Sequence, residues 1–214
     1  MAANYKLSND DLQSLKQVYS AWFSEESQNQ FSILVTGKTG VGKSRLVNAL
    51  VGKKVAHEGR PRTACTDTVT SYRAEIDGVE VVVWDSPGLQ DGSCNENVYV
   101  ADMKNKLNQG FDVMIYCLSM TETRFYDADK NAIRTMTRAF GHELWNKAVV
   151  ALNFANRIID PDEEDELAYF MGEKYHWDKA IDDILGELGI DCKVRKALPV
   201  VPTGNIQTSS PSNL

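Results

Sequence analysis

The 214-residue chain has few cysteines, no excess of basic charge and no long apolar run, and each shortage argues against a class of protein. Its four cysteines are far apart and form no Cys-x-x-Cys pair, which argues against a zinc knuckle or a disulfide framework and favours a reducing, intracellular compartment. The formal net charge of -7 argues against binding nucleic acid through general attraction to its phosphates.

Membrane and export signals are equally scarce. The amino terminus lacks the charged-then-apolar pattern of a secretory signal, and the apolar runs at 79–84 and 113–118 are far too short to span a bilayer. We therefore expect a soluble protein that is cytoplasmic or lies on the cytosolic face of a membrane. Any membrane contact would come from segments absent from this chain.

Short apolar runs alternate with helical patterns along the chain. A β-like run at 68–76 is joined to the run at 79–84 by Asp77-Gly78, which is a strong hairpin signal. The order predicts a three-layer α/β domain with a mostly parallel, six-stranded central sheet. The other apolar runs lie at 31–36, 113–118, 148–152 and 198–201, and the helical patterns lie at 43–51, 97–109, 126–140 and 164–188.

The two ends of the chain differ from its middle. Residues 9–24 carry apolar side chains at helical spacing, which predicts an amphipathic leading helix within a 1–30 segment. Residues 31–206 contain the alternating pattern and form the predicted domain. Residues 207–214 are rich in Ser, Pro and Asn and predict a flexible tail.

Residues 37–44, Gly-Lys-Thr-Gly-Val-Gly-Lys-Ser, match the phosphate-loop pattern GxxxxGK[ST]. The glycines let backbone N–H groups point at phosphates, Lys43 reaches the β- and γ-phosphate oxygens, and Ser44 binds Mg²⁺. A predicted strand precedes the loop and a predicted helix follows it, so we expect a nucleotide with Mg²⁺ here. The predicted nucleotide contacts in this loop are Lys38, Thr39, Gly40, Val41, Gly42, Lys43, Ser44 and Arg45.

A second phosphate-sensing element, Asp85-Ser86-Pro87-Gly88, ends the predicted strand at 79–84. Asp85 can hold Mg²⁺ through water, and the Gly88 N–H can contact a γ-phosphate. Because it follows a hairpin, this element favours a GTPase over nucleotide kinases and motor ATPases. Leu89 stands where many GTPases carry the glutamine that orients water, so we expect slow intrinsic hydrolysis. Gln90, one position later, is a weaker candidate for that role and also suits a plain surface position.

The segment between these elements should supply a threonine hydroxyl to Mg²⁺ and fold over the γ-phosphate. It offers Thr63, Thr66, Thr68 and Thr70, and we prefer Thr66 because it immediately precedes the predicted strand. Thr68 and Thr70 also suit a strand through their β-propensity, and Thr63 also suits a loop. The predicted metal ligands are therefore Ser44, Thr66 and Asp85.

These elements together resemble the septin-like branch of the GTPases, especially the chloroplast outer-envelope protein-import GTPases and the related AIG1 (immunity-associated) GTPases. The resemblance covers about residues 31–206 and is most specific at 111–116, at Thr123-Arg124 and at 139–152. It implies a G domain that binds GTP or GDP with Mg²⁺ and hydrolyses GTP to GDP and phosphate.

The resemblance also implies a homodimer across the nucleotide faces, in which Arg124 reaches the partner's phosphates. Arg60 or Arg62 could serve instead, and Arg124 could equally be a solvated residue at a helix start. The expected catalytic residues are then Lys43, Thr66, Gly88 and Arg124.

By the family pattern, Asn153-Phe154-Ala155-Asn156 stands where most GTPases have N/T-K-x-D, and Thr203-Gly204 lies in a later base-contacting loop. Asn156 offers one carbonyl oxygen and an amide donor in place of a carboxylate, so guanine selectivity is weakened or comes partly from elsewhere. Phe154 could stack on the base or pack into the core. The plant import receptors also depart from this motif, which keeps GTP ahead of ATP. The residues placed at the base are Asn153, Phe154, Asn156, Thr203 and Gly204.

The sequence is also compatible with two other functions. Leu89 also suits a nucleotide-dependent assembly module with negligible turnover. Asn156 also suits an ATP-using P-loop enzyme, although the hairpin and the 85–88 element oppose that alternative. A phosphate-release assay separates the first from a GTPase, and titrations with GTP, ATP and XTP separate the second.

Overall fold

The structure is a computed structural model that describes residues 30–57, 68–76, 79–89, 96–108, 110–122, 124–158 and 165–204. Several predictions fall outside these ranges and stay predictions. They concern the leading helix at 9–24, the tail at 207–214, the Asp77-Gly78 turn, Arg60, Arg62, Thr63, Thr66, Gln90 and Thr123.

Six strands within the described residues form one sheet. They are β1 (Gln30–Gly37), β2 (Thr70–Ile76), β3 (Val79–Asp85), β4 (Val113–Ser119), β5 (Ala148–Asn153) and β6 (Val200–Pro202). Their order across the sheet is β2-β3-β1-β4-β5-β6. The β2–β3 pair is antiparallel, and the other four pairs are parallel. The predicted six-stranded, mostly parallel sheet is confirmed.

The described residues include five α-helices: α1 (Lys43–Val51), α2 (Glu96–Lys106), α3 (Asp127–Phe140), α4 (Glu166–Glu187) and α5 (Cys192–Ala197). The first four correspond to the predicted helices, although α2 ends at Lys106 and not near 109. The sequence did not predict α5 or the 3-10 helix His142–Lys147, because six residues are too few to show a helical period. None of the helices in the described ranges combines the length and apolar composition needed to cross a bilayer.

Alternating side chains of the strands form one apolar core on each face of the sheet. On one face, Ile33 and Val35 of β1 pack with Val47 and Val51 of α1. On the opposite face, Leu34 packs in a second core with the other large helices. Because successive strand residues point to opposite faces, this arrangement gives the predicted three layers. The second core includes Met103 of α2, Ile133 of α3 and Trp177 of α4.

Candidate functional site

The phosphate loop at 37–44 connects β1 to the first turn of α1. Gly42, the residue before α1, has φ 88, which is a left-handed conformation that favours glycine. The Lys43 side chain is buried, and its Nζ donates a hydrogen bond to the Lys38 carbonyl at 2.9 Å. Because phosphate oxygens are charged acceptors, they would bind this ammonium more strongly than a carbonyl does.

Ser44 and Asp85 come together at the carboxyl end of β3. The Ser44 Oγ donates to Asp85 Oδ2 at 2.8 Å, and Asp85 is only 1% exposed. Two neighbouring oxygen ligands of an octahedral Mg²⁺ lie about 3 Å apart, so the spacing fits a site that this ion and its waters could occupy. The described residues contain no group of three His, Cys, Asp or Glu side chains suited to a metal.

The 85–88 element packs directly on the phosphate loop. The Thr39 N–H donates to the Leu89 carbonyl at 3.1 Å, and the Leu89 N–H donates to the Gly37 carbonyl at 3.2 Å. A Cβ atom on Gly88 would lie 1.8 Å from Thr39 Oγ1 and 2.6 Å from Thr39 Cα. Only glycine permits this approach. Gly88 therefore lies against the phosphate loop, as the predicted contact between its N–H and a γ-phosphate requires.

Leu89 belongs to the apolar core. Its side chain is fully buried among residues of the core that includes Leu34. A buried leucine cannot orient an attacking water molecule, so the structure gives Leu89 a packing role at the position where many GTPases have a catalytic glutamine.

Of the four threonine candidates, the structure describes two. Thr68 and Thr70 are both exposed, and Thr70 is the first residue of β2, where it pairs with Asp85 in the β2–β3 register. The Thr70 hydroxyl donates to the Thr68 carbonyl at 3.3 Å. The assignment of Thr66 as a Mg²⁺ ligand stays a prediction.

A cavity beside α1 brings together the predicted base-side residues, which lie at or just after the carboxyl ends of β5 and β6. Ligands of open α/β sheets bind at these ends. The sequence did not single out Leu46 and Ala49, because helical periodicity identifies faces and not cavities. The cavity is lined by Gly42, Arg45, Leu46, Ala49, Asn153, Phe154, Asn156, Thr203 and Gly204.

Asn153, the last residue of β5, connects two loops of the site. Its Nδ2 donates to the Val41 carbonyl at 2.7 Å, and its Oδ1 accepts from the Thr203 hydroxyl at 2.6 Å. The side chain is buried. Asn153 therefore fixes the position of the phosphate loop relative to Thr203, the residue after β6.

Phe154 lines the cavity with a half-buried ring. Its backbone has φ 62, the only left-handed conformation of a non-glycine residue in the described ranges. A Cβ on Gly42 would lie 2.9 Å from Phe154 Cζ, and the Arg157 guanidinium lies 4.8 Å from the ring centroid. The ring thus packs between the phosphate loop and a cation.

Asn156 is exposed at the same cavity and packs against Gly204. A Cβ on Gly204 would lie 2.6 Å from Asn156 Oδ1 and 2.8 Å from Asn156 Cβ. Glycine at 204 therefore makes room for this side chain.

Arg124 is exposed just ahead of α3. Its guanidinium carbon lies 4.9 Å from the ring centroid of Tyr126, and the Lys38 Nζ of the phosphate loop lies 5.7 Å from the same centroid. Arg124 and Lys38 of the phosphate loop therefore share the Tyr126 ring, and the role of Arg124 towards a partner's phosphates stays a prediction. Tyr126 belongs to no motif, so the sequence did not single it out.

The buried thiol of Cys117 lies on β4 near the phosphate loop. Burial raises the pKa of Cys117 to about 12, although the nearby Lys43 ammonium opposes the rise. A thiol with this pKa stays protonated at neutral pH and is a poor nucleophile. Cys117 therefore has a packing role.

Comparison with known proteins identifies relatives of this chain. The AIG1 family matches residues 31–190 of the chain. The chain is 31% identical over 159 residues to the translocase of chloroplast 34 homolog of Chlamydomonas reinhardtii, which covers 69% of this chain and 40% of that protein. The chain thus spans less than half of that relative's length.

Two solved structures share the fold. The crystal structure of Toc33 from Arabidopsis thaliana in complex with GDP and Mg²⁺ has a TM-score of 0.71 and 25% identity, over 92% of this chain and 76% of that one. A structure from work on dimerisation in the GTPase activity of the chloroplast translocon components atToc33 and psToc159 has a TM-score of 0.73 and 25% identity, over 94% and 77%.

Proposed function

Because the chain belongs to the AIG1 family, we propose that it binds GTP and GDP with Mg²⁺ and slowly hydrolyses GTP to GDP and phosphate. The observation that carries this proposal is the packing of Gly88 on the phosphate loop, next to Lys43 and the Ser44–Asp85 pair. In this proposal Lys43 and Gly42 cradle phosphate, Ser44 and Thr66 bind Mg²⁺, Asp85 supports the ion through water, and Gly88 senses the γ-phosphate.

Catalysis in this site would rest on positioning and electrostatic stabilisation. Leu89 is buried in the core, so the residue after Gly88 does not orient water. A bound Mg²⁺ would neutralise charge on the β- and γ-phosphate oxygens, and the Lys43 ammonium would add to that effect. Slow turnover by the isolated chain follows.

We further propose that two copies associate across their nucleotide faces in the triphosphate state. Support comes from the exposure of Arg124 beside the phosphate loop and from the Toc33 work on dimerisation. A guanidinium supplied by a partner can neutralise charge that spreads over γ-phosphate oxygens. Arg124 is the residue that we propose for this role.

The dimer proposal predicts that phosphate release per chain rises with protein concentration. We expect Arg124→Ala to lower the rate of the dimer by about tenfold or more, because a trans arginine stabilises the transferring phosphate. Arg138→Ala, a matched change at the exposed end of α3, should leave the rate unchanged. The assays are phosphate release and sedimentation with GDP and with a non-hydrolysable GTP analogue.

Each outcome of that series has a distinct meaning. A wild type that stays monomeric with the analogue at high concentration rules out the dimer. If it dimerises and Arg124→Ala matches it in both association and hydrolysis, only the role of Arg124 is wrong. A dimer that releases no phosphate is the assembly module with negligible turnover.

We also propose that guanine is the preferred base, with Asn156 facing it. Support comes from the shared cavity, which Asn156 lines together with Arg45 and Phe154. Asn156→Asp should raise the ratio of GTP to XTP affinity by about tenfold, because a carboxylate accepts guanine's paired donors and repels xanthine's carbonyl. Asn105→Asp on the exposed surface of α2 is the control.

Titrations of GTP, XTP and ATP with both variants and the wild type measure this effect. An unchanged ratio of GTP to XTP in Asn156→Asp means that residue 156 does not face the base. Tighter binding of ATP than of GTP by the wild type supports the ATP-using alternative.

The cellular setting is part of the same proposal. We place the domain in the septin-like branch of the GTPases, in the cytoplasm or on the cytosolic face of a membrane. The few, scattered cysteines support a reducing compartment, and the net charge of -7 supports a protein without nucleic-acid partners.

A further inference from the structure

A partly buried charge cluster joins the phosphate loop to the segment that carries Arg124. The Lys38 Nζ lies 2.9 Å from both carboxylate oxygens of Glu122 and 3.2 Å from Asp129 Oδ2. The side chains of Lys38, Glu122 and Asp129 are 14%, 27% and 2% exposed. We call these three residues the Lys38 cluster. Because they are shielded from water, their attraction is less screened than that of a surface ion pair.

The charges of the cluster depend on one another. Burial raises the pKa of the Asp129 carboxyl, and the Lys38 ammonium opposes that rise. Burial alone would lower the pKa of Lys38, but the two carboxylates outweigh it and raise this pKa. Without the ammonium, two neighbouring carboxylates would repel each other at a position with little access to water.

Asp129 connects the Lys38 cluster to the first turn of α3. Its Oδ2 also accepts a hydrogen bond from the Tyr126 N–H at 3.3 Å, and the Lys130 N–H donates to the Tyr126 carbonyl at 3.2 Å. The guanidinium of Arg124 rests on the Tyr126 ring. The Lys38 cluster therefore fixes the turn and the ring on which Arg124 lies.

The backbone of Lys38 belongs to the phosphate site. Its carbonyl accepts the hydrogen bond from Lys43 Nζ, and residue 38 forms a parallel bridge with Leu89 of the segment after Gly88. A phosphate bound at Lys43 would compete with the Lys38 carbonyl for this ammonium, whose three N–H groups are shared among the acceptors around it. The strength of the hydrogen bond at residue 38 would then depend on whether the site is filled.

We propose that Lys38 is a positioning residue that transmits occupancy of the phosphate site to residues 122–130 and so controls how Arg124 is presented to a partner. The inference rests on the proposed binding of nucleotide at Lys43. One residue makes both connections, through its carbonyl to Lys43 and through its ammonium to Glu122 and Asp129, so a shift at one end changes the contacts at the other.

Hydrogen exchange of the peptide at 122–131 tests this inference, with and without saturating GDP and Mg²⁺. The protein is kept at a concentration where sedimentation finds only monomer, so that dimerisation cannot produce the signal. In the wild type we expect the exchange of amides in the first turn of α3 to change by about threefold or more when GDP binds.

The key variant is Glu122→Gln, which removes one carboxylate charge from the cluster and leaves the phosphate loop intact. It should bind GDP within about threefold of the wild type and lose most of the exchange response. Lys38→Met, which keeps the side-chain stem without its charge, should also lose the response. Glu187→Gln is the matched control, because it also removes a carboxylate charge from an ion pair of α3. In that pair the Arg134 Nη2 lies 3.2 Å from Glu187 Oε2.

The outcomes separate this inference from the function on which it rests. If the wild type binds GDP and the exchange at 122–131 does not change, the inference is wrong and nucleotide binding stands. A full response in both Glu122→Gln and Lys38→Met also overturns it. A wild type that binds neither GDP nor GTP in direct titration overturns the proposed function and the inference together.

Discussion

Lys43→Ala should weaken the binding of Mg·GTP and Mg·GDP by at least about a hundredfold, because it removes a buried cation from the phosphate site. The Lys43 side chain is 7% exposed, and its Nζ lies within the phosphate loop, 2.9 Å from the Lys38 carbonyl. Lys38 cannot replace it, since Glu122 and Asp129 hold that ammonium. Titration with fluorescent GDP and GTP analogues measures the loss.

The control for this change is Lys54→Ala, which removes an exposed lysine shortly after α1 and should keep the affinity of the wild type. Thermal unfolding of both variants checks that the fold is retained. Equal affinities in Lys43→Ala and the wild type would show that the loop at 37–44 does not bind phosphate.

Gly88→Ala should both destabilise the domain and abolish its response to the γ-phosphate. The added Cβ would lie 1.8 Å from Thr39 Oγ1, so the segment after Asp85 could not keep its place on the phosphate loop. Overpacking of this kind costs about 1 to 3 kcal/mol, and the hydrogen bonds between Leu89 and the loop would weaken with it. We expect the variant to bind GTP no more tightly than GDP.

Denaturant unfolding and paired titrations with GDP and a non-hydrolysable GTP analogue test this prediction. Gly172→Ala is the matched control, because a Cβ at this position in α4 meets nothing within 4 Å. It should be neutral or stabilise the helix by up to about 1 kcal/mol. The assignment of Gly88 fails if Gly88→Ala unfolds like the wild type and still distinguishes the two nucleotides.

Much of the fold could be predicted from the sequence because the signals are local. Asp77-Gly78 between two β-like runs predicted an antiparallel pair, and β2 and β3 form one. Apolar periodicity located the long helices but missed α5, whose six residues include no buried side chain. A six-residue helix with one partly buried apolar side chain, Val194, is too short to show a helical period.

In the site too, local motifs could be predicted from the sequence, and contacts between distant residues could not. Lys43 and Ser44 follow from an eight-residue motif. The pairs of Lys38 with Glu122 and Asp129 join residues 84 and 91 positions apart, and no local pattern predicts them. For Phe154 the sequence allowed either the core or the base cavity, and its burial depends on how β5 meets the phosphate loop. The structure places the ring at the cavity.

Gly204 links the loop after β6 to the segment after β5 in any redesign of this cavity. A Cβ at 204 would lie 2.8 Å from the Cβ of Asn156, an atom that no rotation of the side chain can move away. Aspartate and every other residue except glycine have the same Cβ, so changing the polar group at 156 does not remove this restriction. A larger residue at 204 therefore requires a backbone shift in one of the two segments, and the two segments have to be redesigned together.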